Sequence, residues 1–255
     1  MTRETEPVLT LQGDVTVVPI LEVTGLCKRF GGLVAVDDIS FRIAPGNALG
    51  IIGPNGAGKT TLFNLLSGFE TADSGVIRFQ GHTIQGAPPH RIARLGIGRT
   101  FQSVRVFGTL SVLENLRIAH LYAPNAGAGA FDDRFADIIE FVGLVRHADA
   151  TAGRLSYGQR KLVELGMVLM AKPSLILLDE PVAGVNPALI EEIAKLLGML
   201  IERGQTLLIV EHNIPFVTRV CGEILVMANG GLLVHGTGAE IQRDPRVLEA
   251  FLGAP

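Results

Sequence analysis

Apolar positions fall into two patterns along the chain. Between residues 21 and 43 they alternate: Leu21 and Val23, then Val34 and Val36, then Ile39, Phe41 and Ile43. Alternation sends successive side chains to opposite faces, so this region predicts half-buried strands, with Gly31-Gly32 as a turn and a small antiparallel sheet as the product. Further on, the apolar residues come in short unbroken runs: Ala48 to Ile52 apart from Gly50, Leu175 to Leu178, and Thr206 to Val210. Such runs predict strands buried on both faces, as in a parallel sheet covered by helices. Two further strands are expected at 75–80, closed by Gly81-His82, and at 97–101, leading to Gln102. A hairpin is expected where 224–227 and 232–235 flank Asn229-Gly230-Gly231.

Helix signals fill the intervals. One helix starts near Thr61, and Pro88-Pro89 opens a short one that runs through Arg94. Ser111-Val112-Leu113-Glu114 is a capping box for a helix reaching about Leu121. Pro124, Asn125, Gly127 and Gly129 mark 122–130 as a loop, followed by a helix over 132–142. Further helices are expected at 159–170, at 187–203 with Pro187 in the first turn, and at 213–220. Thr237-Gly238-Ala239-Glu240 caps a final pair ending near Leu252. Together these give an α/β fold with an antiparallel β subdomain before the parallel strands. A mostly helical insertion, about 103–165, lies between those strands. Met1 to Pro19 carries Glu4, Glu6 and Asp14 and lacks a positive-then-apolar pattern, so a short disordered leader is expected there rather than a signal peptide.

Composition narrows the class. Hydrophobic residues make up 47% of 255, and the mean hydropathy of +0.38 is high. Yet no apolar run reaches the ~18 residues of a membrane span. A net charge of −3 and a pI near 6.1 argue against a general nucleic-acid binder, which carries a basic face. Cys27 and Cys221 lie far apart and are expected to be reduced, buried thiols.

Three stretches carry chemistry. Gly53-Pro54-Asn55-Gly56-Ala57-Gly58-Lys59-Thr60-Thr61 fits G-x-x-x-x-G-K-[ST], the phosphate-binding loop, with the strand before it and the helix after it that the motif requires. The glycines let backbone N–H groups surround phosphate oxygens, and the helix N-terminus adds roughly half a positive charge. Lys59 is placed to reach β- and γ-phosphates and the Thr60 hydroxyl to face Mg²⁺. Asp179-Glu180 ends a buried strand. Beside a phosphate loop, Asp179 suits the metal, directly or through water, and Glu180 suits orienting or deprotonating an attacking water. Leu155-Ser156-Tyr157-Gly158-Gln159 opens a helix, and its N-terminus is a second anion site. A monomer rarely needs two such sites for one nucleotide. The arrangement makes sense if the second site completes the first site of another subunit.

In this order the motifs resemble the ATP-binding subunits of ABC transporters over about residues 20–253. The resemblance adds Gln102, the loop Ala183-Gly184-Val185-Asn186 and His212 to the set. It implies a P-loop NTPase core using ATP and Mg²⁺. Catalysis is expected from Lys59, Gln102, Glu180 and His212, and metal contact from Thr60, Gln102 and Asp179. Nucleotide contacts are expected from Phe30, Gly53, Asn55, Gly56, Ala57, Gly58, Lys59, Thr60 and Thr61, and, on the nucleotide of a second subunit, from Ser156, Gly158 and Gln159. Phe30 would stack on adenine, Gln102 would sense the γ-phosphate, and His212 would hydrogen-bond to it. Tyr157 and Asn186 stand where the commonest family pattern has Gly and Asp, and both are similar to importer subunits for branched-chain amino acids. So are Arg29-Phe30-Gly31-Gly32-Leu33, Arg99-Thr100-Phe101-Gln102, Glu211-His212-Asn213 and Ala250-Phe251-Leu252-Gly253. The stretch 122–134 is short beside the insertion of that subgroup.

The implied partners are permease subunits, a second ATP-binding subunit of the same or a different kind, and an extracytoplasmic solute-binding protein, with no nucleic acid. The implied place is the cytoplasmic face of the cell membrane, as a peripheral subunit. Residues 103–107 are expected to face the permease or to pack within the helical lobe. Subunits for urea or short amides and the lipopolysaccharide-export ATPase share much of the pattern and remain alternatives. So do a soluble ABC-type ATPase of DNA repair or translation and a small-molecule kinase using the same loop.

Overall fold

The structure, a computed structural model, describes residues 18–123 and 131–252. Nearly all of the expected leader, 1–17, and most of the expected loop, 124–130, lie outside the described residues.

The alternating region forms β1 (Leu21–Phe30) and β2 (Leu33–Ile43), which pair antiparallel with Leu21 opposite Ile43 and Phe30 opposite Leu33. Gly31-Gly32 is the turn between them. The chain then crosses to a second sheet through β3 (Ala48–Ile52) and α1 (Lys59–Leu66). It returns to the first sheet through β4 (Ser74–Phe79) and β5 (His82–Thr83), giving the order β2-β1-β4-β5. Next come α2 (Pro89–Leu95) and β6 (Ile97–Arg99). β6 is shorter than the expected 97–101: Thr100 still donates its N–H to the Leu177 carbonyl at 2.9 Å, but Phe101 leaves the sheet to bond a side chain instead.

Helices fill the interval to the next strand: α3 (Val112–Leu121), α4 (Phe131–Phe141) and α5 (Tyr157–Met170), with single 3₁₀ turns at Val145–His147 and Ala152–Arg154. The expected capping box at Ser111 is formed, each partner bonding the other's backbone N–H. The α/β alternation resumes with β7 (Leu175–Asp179), α6 (Pro187–Glu202), β8 (Thr206–Val210) and α7 (Ile214–Val220). The hairpin β9 (Glu223–Ala228) and β10 (Gly231–Gly236) follows, then α8 (Gly238–Ile241) and α9 (Pro245–Leu252). The second sheet runs β10-β9-β3-β8-β7-β6, parallel except for β10.

The parallel strands explain their own sequences. Ala48, Ile52, Ile176, Leu178, Leu207, Ile209, Ile224 and Val226 face one apolar core, shared with α3 to α7. Their neighbours Leu49, Ile51, Leu175, Leu177, Leu208, Val210, Leu225 and Met227 face another, shared with α1, α2 and the antiparallel sheet. Each strand is buried on both sides, so no polar position interrupts it. The strands β3, β7 and β8 end together, which gathers the loops after Ile52, Asp179 and Val210 at one edge, where open α/β sheets bind ligands.

Candidate functional site

The loop after β3 is shaped by two glycines. Gly53 has φ 155°, and a Cβ there would sit 2.2 Å from the Met227 carbonyl oxygen. Gly58, φ 98°, is the N-cap of α1, and a Cβ there would lie 2.1 Å from the Ala35 oxygen. Only glycine fits either place, and the cradle they leave is pinned from outside: Gly230, in the β9–β10 turn, donates to the Ala57 carbonyl at 3.2 Å. No side chain caps α1, so its first N–H groups are left for the loop's contents. Lys59 is 8% exposed and folds back to donate to the Gly53 and Pro54 carbonyls at 2.7 and 2.9 Å. Burial lowers its pKa, with Glu180 and then Asp179 opposing the shift. Asn55, Gly56 and Thr60 are exposed on the loop, Ala57 is buried, and Thr61 is partly exposed at the start of α1.

The acid pair divides by environment. Asp179 is 4% exposed and its Oδ2 accepts from the Arg99 guanidinium at 3.0 Å. Burial raises the Asp179 pKa and Arg99 opposes it. Arg99 also donates to the Phe63 carbonyl, Asn64 Oδ1 and Ser67 Oγ, and so ties β6 to the end of α1. Glu180 is partly exposed, with φ 48°, a conformation L-residues rarely adopt and one that often marks active sites. Its backbone is held at both ends. The N–H donates to the Val210 carbonyl at 2.9 Å, and the carbonyl accepts from Lys161 Nζ at 2.7 Å. The side chain accepts from Gln102 Nε2 at 3.1 Å. The structure therefore brings Gln102 and Glu180 together and leaves one Asp179 oxygen outside the Arg99 bond.

His212 lies after β8 with its side chain 60% exposed and Nδ1 3.6 Å from Glu211. Glu211 is wholly buried and accepts three backbone N–H bonds, from Val182 at 2.9 Å, His212 at 2.9 Å and Asn213 at 3.2 Å. It staples the loop after Glu180 to the loop carrying His212. Phe30 ends β1 at 45% exposure, with Lys28 Nζ 5.1 Å from its ring centroid. A half-open aromatic at a strand end can take a flat ring against it.

Ser156 is the exposed N-cap of α5 and shares a reciprocal capping box with Gln159, which also meets His147 at 3.0 Å. Gly158 is buried, and a Cβ on it would sit 2.0 Å from Leu189 Cδ2 of α6, so close helix packing requires glycine there. Among the described residues no hydrogen bond joins Ser156, Gly158 or Gln159 to the phosphate loop. The tie between this turn and the Gln102–Glu180 pair runs through Tyr157, whose hydroxyl meets the Gln102 carbonyl at 3.4 Å.

Sequence reasoning missed four charged residues that build this site: Arg99, Lys161, Glu164 and Glu211. Arg99 and Glu211 stand inside quoted motifs, yet their burial is a tertiary fact. Lys161 and Glu164 fall on α5 among apolar positions, and a charge at an expected core position was the available signal.

The arrangement fits a nucleoside triphosphate. A cradle that a Cβ would fill, an uncapped helix start and a lysine with no carboxylate within ion-pair distance among the described residues all favour bound phosphate. It also fits Mg²⁺ of the kind carried by phosphates. Among the described residues no group of three or more His, Cys, Asp and Glu gathers, as an all-protein cage needs, but Thr60 and Asp179 flank the loop.

Comparison with known proteins agrees with this geometry. Residues 36–183 match the family model described as ABC transporter, and residues 232–255 match one described as branched-chain amino acid ATP-binding cassette transporter. The high-affinity branched-chain amino acid transport ATP-binding protein BraF of Pseudomonas aeruginosa is 40% identical over 251 residues, covering 92% of this chain and 98% of that protein. LivG of Escherichia coli, of the same description, is 37% identical over 250 residues with the same coverage. Among solved structures, the ADP conformation of MJ1267, an ATP-binding cassette of an ABC transporter, superposes with a TM-score of 0.84 at 35% identity, covering 92% of this chain and 99% of that one. A nucleotide-free cassette gives 0.83 at 35% identity, covering 92% and 100%.

Proposed function

Since the chain belongs to the ABC transporter family, as an ATP-hydrolysing subunit on a P-loop NTPase fold, we propose that it drives an importer of branched-chain or other hydrophobic amino acids. The solute class rests on the printed function of BraF and LivG and on the match at 232–255. The observation that carries the chemistry is the Gln102–Glu180 pair, 3.1 Å apart at the end of β7 beside Lys59.

In this reading Lys59 leaves its two loop carbonyls for the β- and γ-phosphates, and Phe30 lies against the adenine. Thr60, Gln102 and Asp179 would hold Mg²⁺, Asp179 directly or through water. Mg²⁺ supplies neutralisation of phosphate charge. Glu180 orients or deprotonates the attacking water, with Gln102 keeping its carboxylate in place, and His212 holds the γ-phosphate from the neighbouring loop. Ser156, Gly158 and Gln159 serve the nucleotide of a second ATP-binding subunit, which explains why they make no bond to this chain's own phosphate loop. Nucleotide then joins two subunits, and hydrolysis releases them. The permease follows that closure and opening.

Residues 103–107 face the permease through Phe107, which is 50% exposed. Val106 packs on the larger core instead, so only part of this segment is open to a partner. Among the described residues no helix is long and apolar enough to cross a membrane, so the permease supplies the attachment to the cytoplasmic face. An extracytoplasmic solute-binding protein completes the importer. The test is purification from membranes with partners attached. Expected are permease subunits, and ATPase activity stimulated several-fold by a binding protein loaded with leucine, isoleucine or valine. Stimulation by urea or short amides alone would overturn the solute class. Recovery without any permease would overturn the transport role.

A further inference from the structure

Glu164 stands one turn beyond Lys161 on α5, at 5% exposure, where the neighbouring positions Leu162, Val163 and Leu165 are core. A carboxylate in such a place is costly, and burial raises its pKa. The compensation comes first from two backbone amides, then from the charges of Lys161 and Arg105. A single oxygen, Oε1, accepts the backbone N–H of Phe101 at 3.3 Å and of Arg105 at 3.1 Å. Those amides lie on either side of Gln102. Residues 101–107 carry no strand or helix, so these bonds replace the ladder that ended with β6. The far end is held separately, where Asn115 of α3 accepts from the Phe107 N–H at 2.8 Å and donates to its carbonyl at 3.1 Å. The Arg105 guanidinium stacks over the Phe101 ring at 3.8 Å, drawing the two anchored residues together.

The contacts close a ring. Helix α5 holds the Glu180 carbonyl through Lys161, Glu180 holds Gln102, and the residues flanking Gln102 return to α5 through Glu164. We propose that Glu164 is a positioning residue for ATP hydrolysis: by pinning the amides on both sides of Gln102 it sets that side chain against Glu180 and couples the pair to the helix whose first turn carries Ser156. The proposal rests on the ATPase reading of the site. Glu164 touches no reacting group. It acts through the backbone that aims Gln102, and misplacing such a group by about 1 Å can cost on the order of a hundredfold in rate.

Two variants of the full chain separate this role from packing. Glu164→Leu keeps the volume and removes the acceptor. Glu164→Gln keeps a carbonyl oxygen, and one oxygen suffices because both amides use the same one. Glu164→Leu is expected to lower kcat about tenfold to a hundredfold, with KM for ATP within about twofold, the signature of lost transition-state positioning. Hydrogen exchange at the amides of residues 101–105 should quicken in Glu164→Leu, and Glu164→Gln should match wild type in both readouts. Wild-type kcat in Glu164→Leu, unchanged exchange at 101–105, or an equal loss in Glu164→Gln would each overturn the proposal. If the wild-type chain hydrolyses no ATP, the motor reading fails, and the exchange experiment still decides by itself whether Glu164 holds the segment.

Discussion

Removing the Glu211 carboxylate should unfasten two loops of the candidate site at once, and the cost can be worked out from its three bonds. Glu211 has no exposed surface. One oxygen accepts from Val182, a buried residue just after Glu180, and the other accepts from His212 and Asn213. In Glu211→Ala the Val182 N–H loses its partner where water does not reach, a loss of about 1–3 kcal/mol. The His212 and Asn213 amides belong to residues with solvent nearby, so each loses only the net worth of a hydrogen bond, about 0.5–1.5 kcal/mol. The expected destabilisation is therefore about 2–6 kcal/mol, which at roughly 2–4 °C per kcal/mol for a chain of this size corresponds to a fall in Tm of roughly 4–24 °C. Glu211→Gln has one acceptor oxygen. It can serve Val182 or the other two amides but not both, so its loss should be about 1–3 kcal/mol. Urea unfolding of the three proteins, read as a change in midpoint at constant slope, gives these differences directly. A midpoint for Glu211→Ala within about 0.5 kcal/mol of wild type would refute the stapling argument, since that is the range of an ordinary surface change. An equal loss in both variants would show that charge, rather than the number of acceptors, is what matters there.

Three further outcomes are expected. Glu180→Gln should bind ATP, lose about 10²–10⁴ in kcat, and form an ATP-dependent dimer detectable by light scattering; hydrolysis at the wild-type rate would remove Glu180 from its role. Burial pushes the Cys221 thiol up to about 12 from an ordinary value of 9.0. The native state thus holds its proton longer than the unfolded state, so the stability it adds is complete below pH ~9 and is lost as pH rises towards ~12. In the native protein near pH 8.5 Cys221 should resist alkylation, while the partly exposed Cys27 reacts; equal labelling of the two, followed by mass spectrometry, would contradict this. Phe107→Glu should uncouple transport in reconstituted vesicles while leaving basal ATPase within about twofold, because the ring is half exposed and off the catalytic cluster; undiminished transport would count against the permease-facing assignment.

Much of this protein is legible without coordinates because its signals are local. A glycine loop between an apolar run and a helix can hardly be read otherwise, and the alternation of 21–43 against the unbroken runs of 175–178 and 206–210 separates the antiparallel sheet from the parallel one. Ser111, Ser156 and Thr237 all cap helices where the sequence places them. The shortened β6 was not legible, because it depends on Glu164 offering the Phe101 amide a better partner than the next strand residue. For Val106 the sequence left two places open, the permease or the helical lobe, because an apolar run in a loop does not show the core beneath it; the structure packs it on that core.

The sequence by itself determined the candidates for the chemistry: Lys59, Asp179 and Glu180 from the phosphate loop and the acid pair at a strand end, and Gln102 and His212 from the family resemblance. The tertiary structure decided what holds them. Arg99 on Asp179, Glu164 on the amides around Gln102 and Glu211 on Val182 join positions from 29 to 80 residues apart, and Lys161 on the Glu180 carbonyl joins positions 19 apart. No local pattern specifies a buried charge's partner, because the free energy that admits the charge to the core comes from groups that only folding brings within reach.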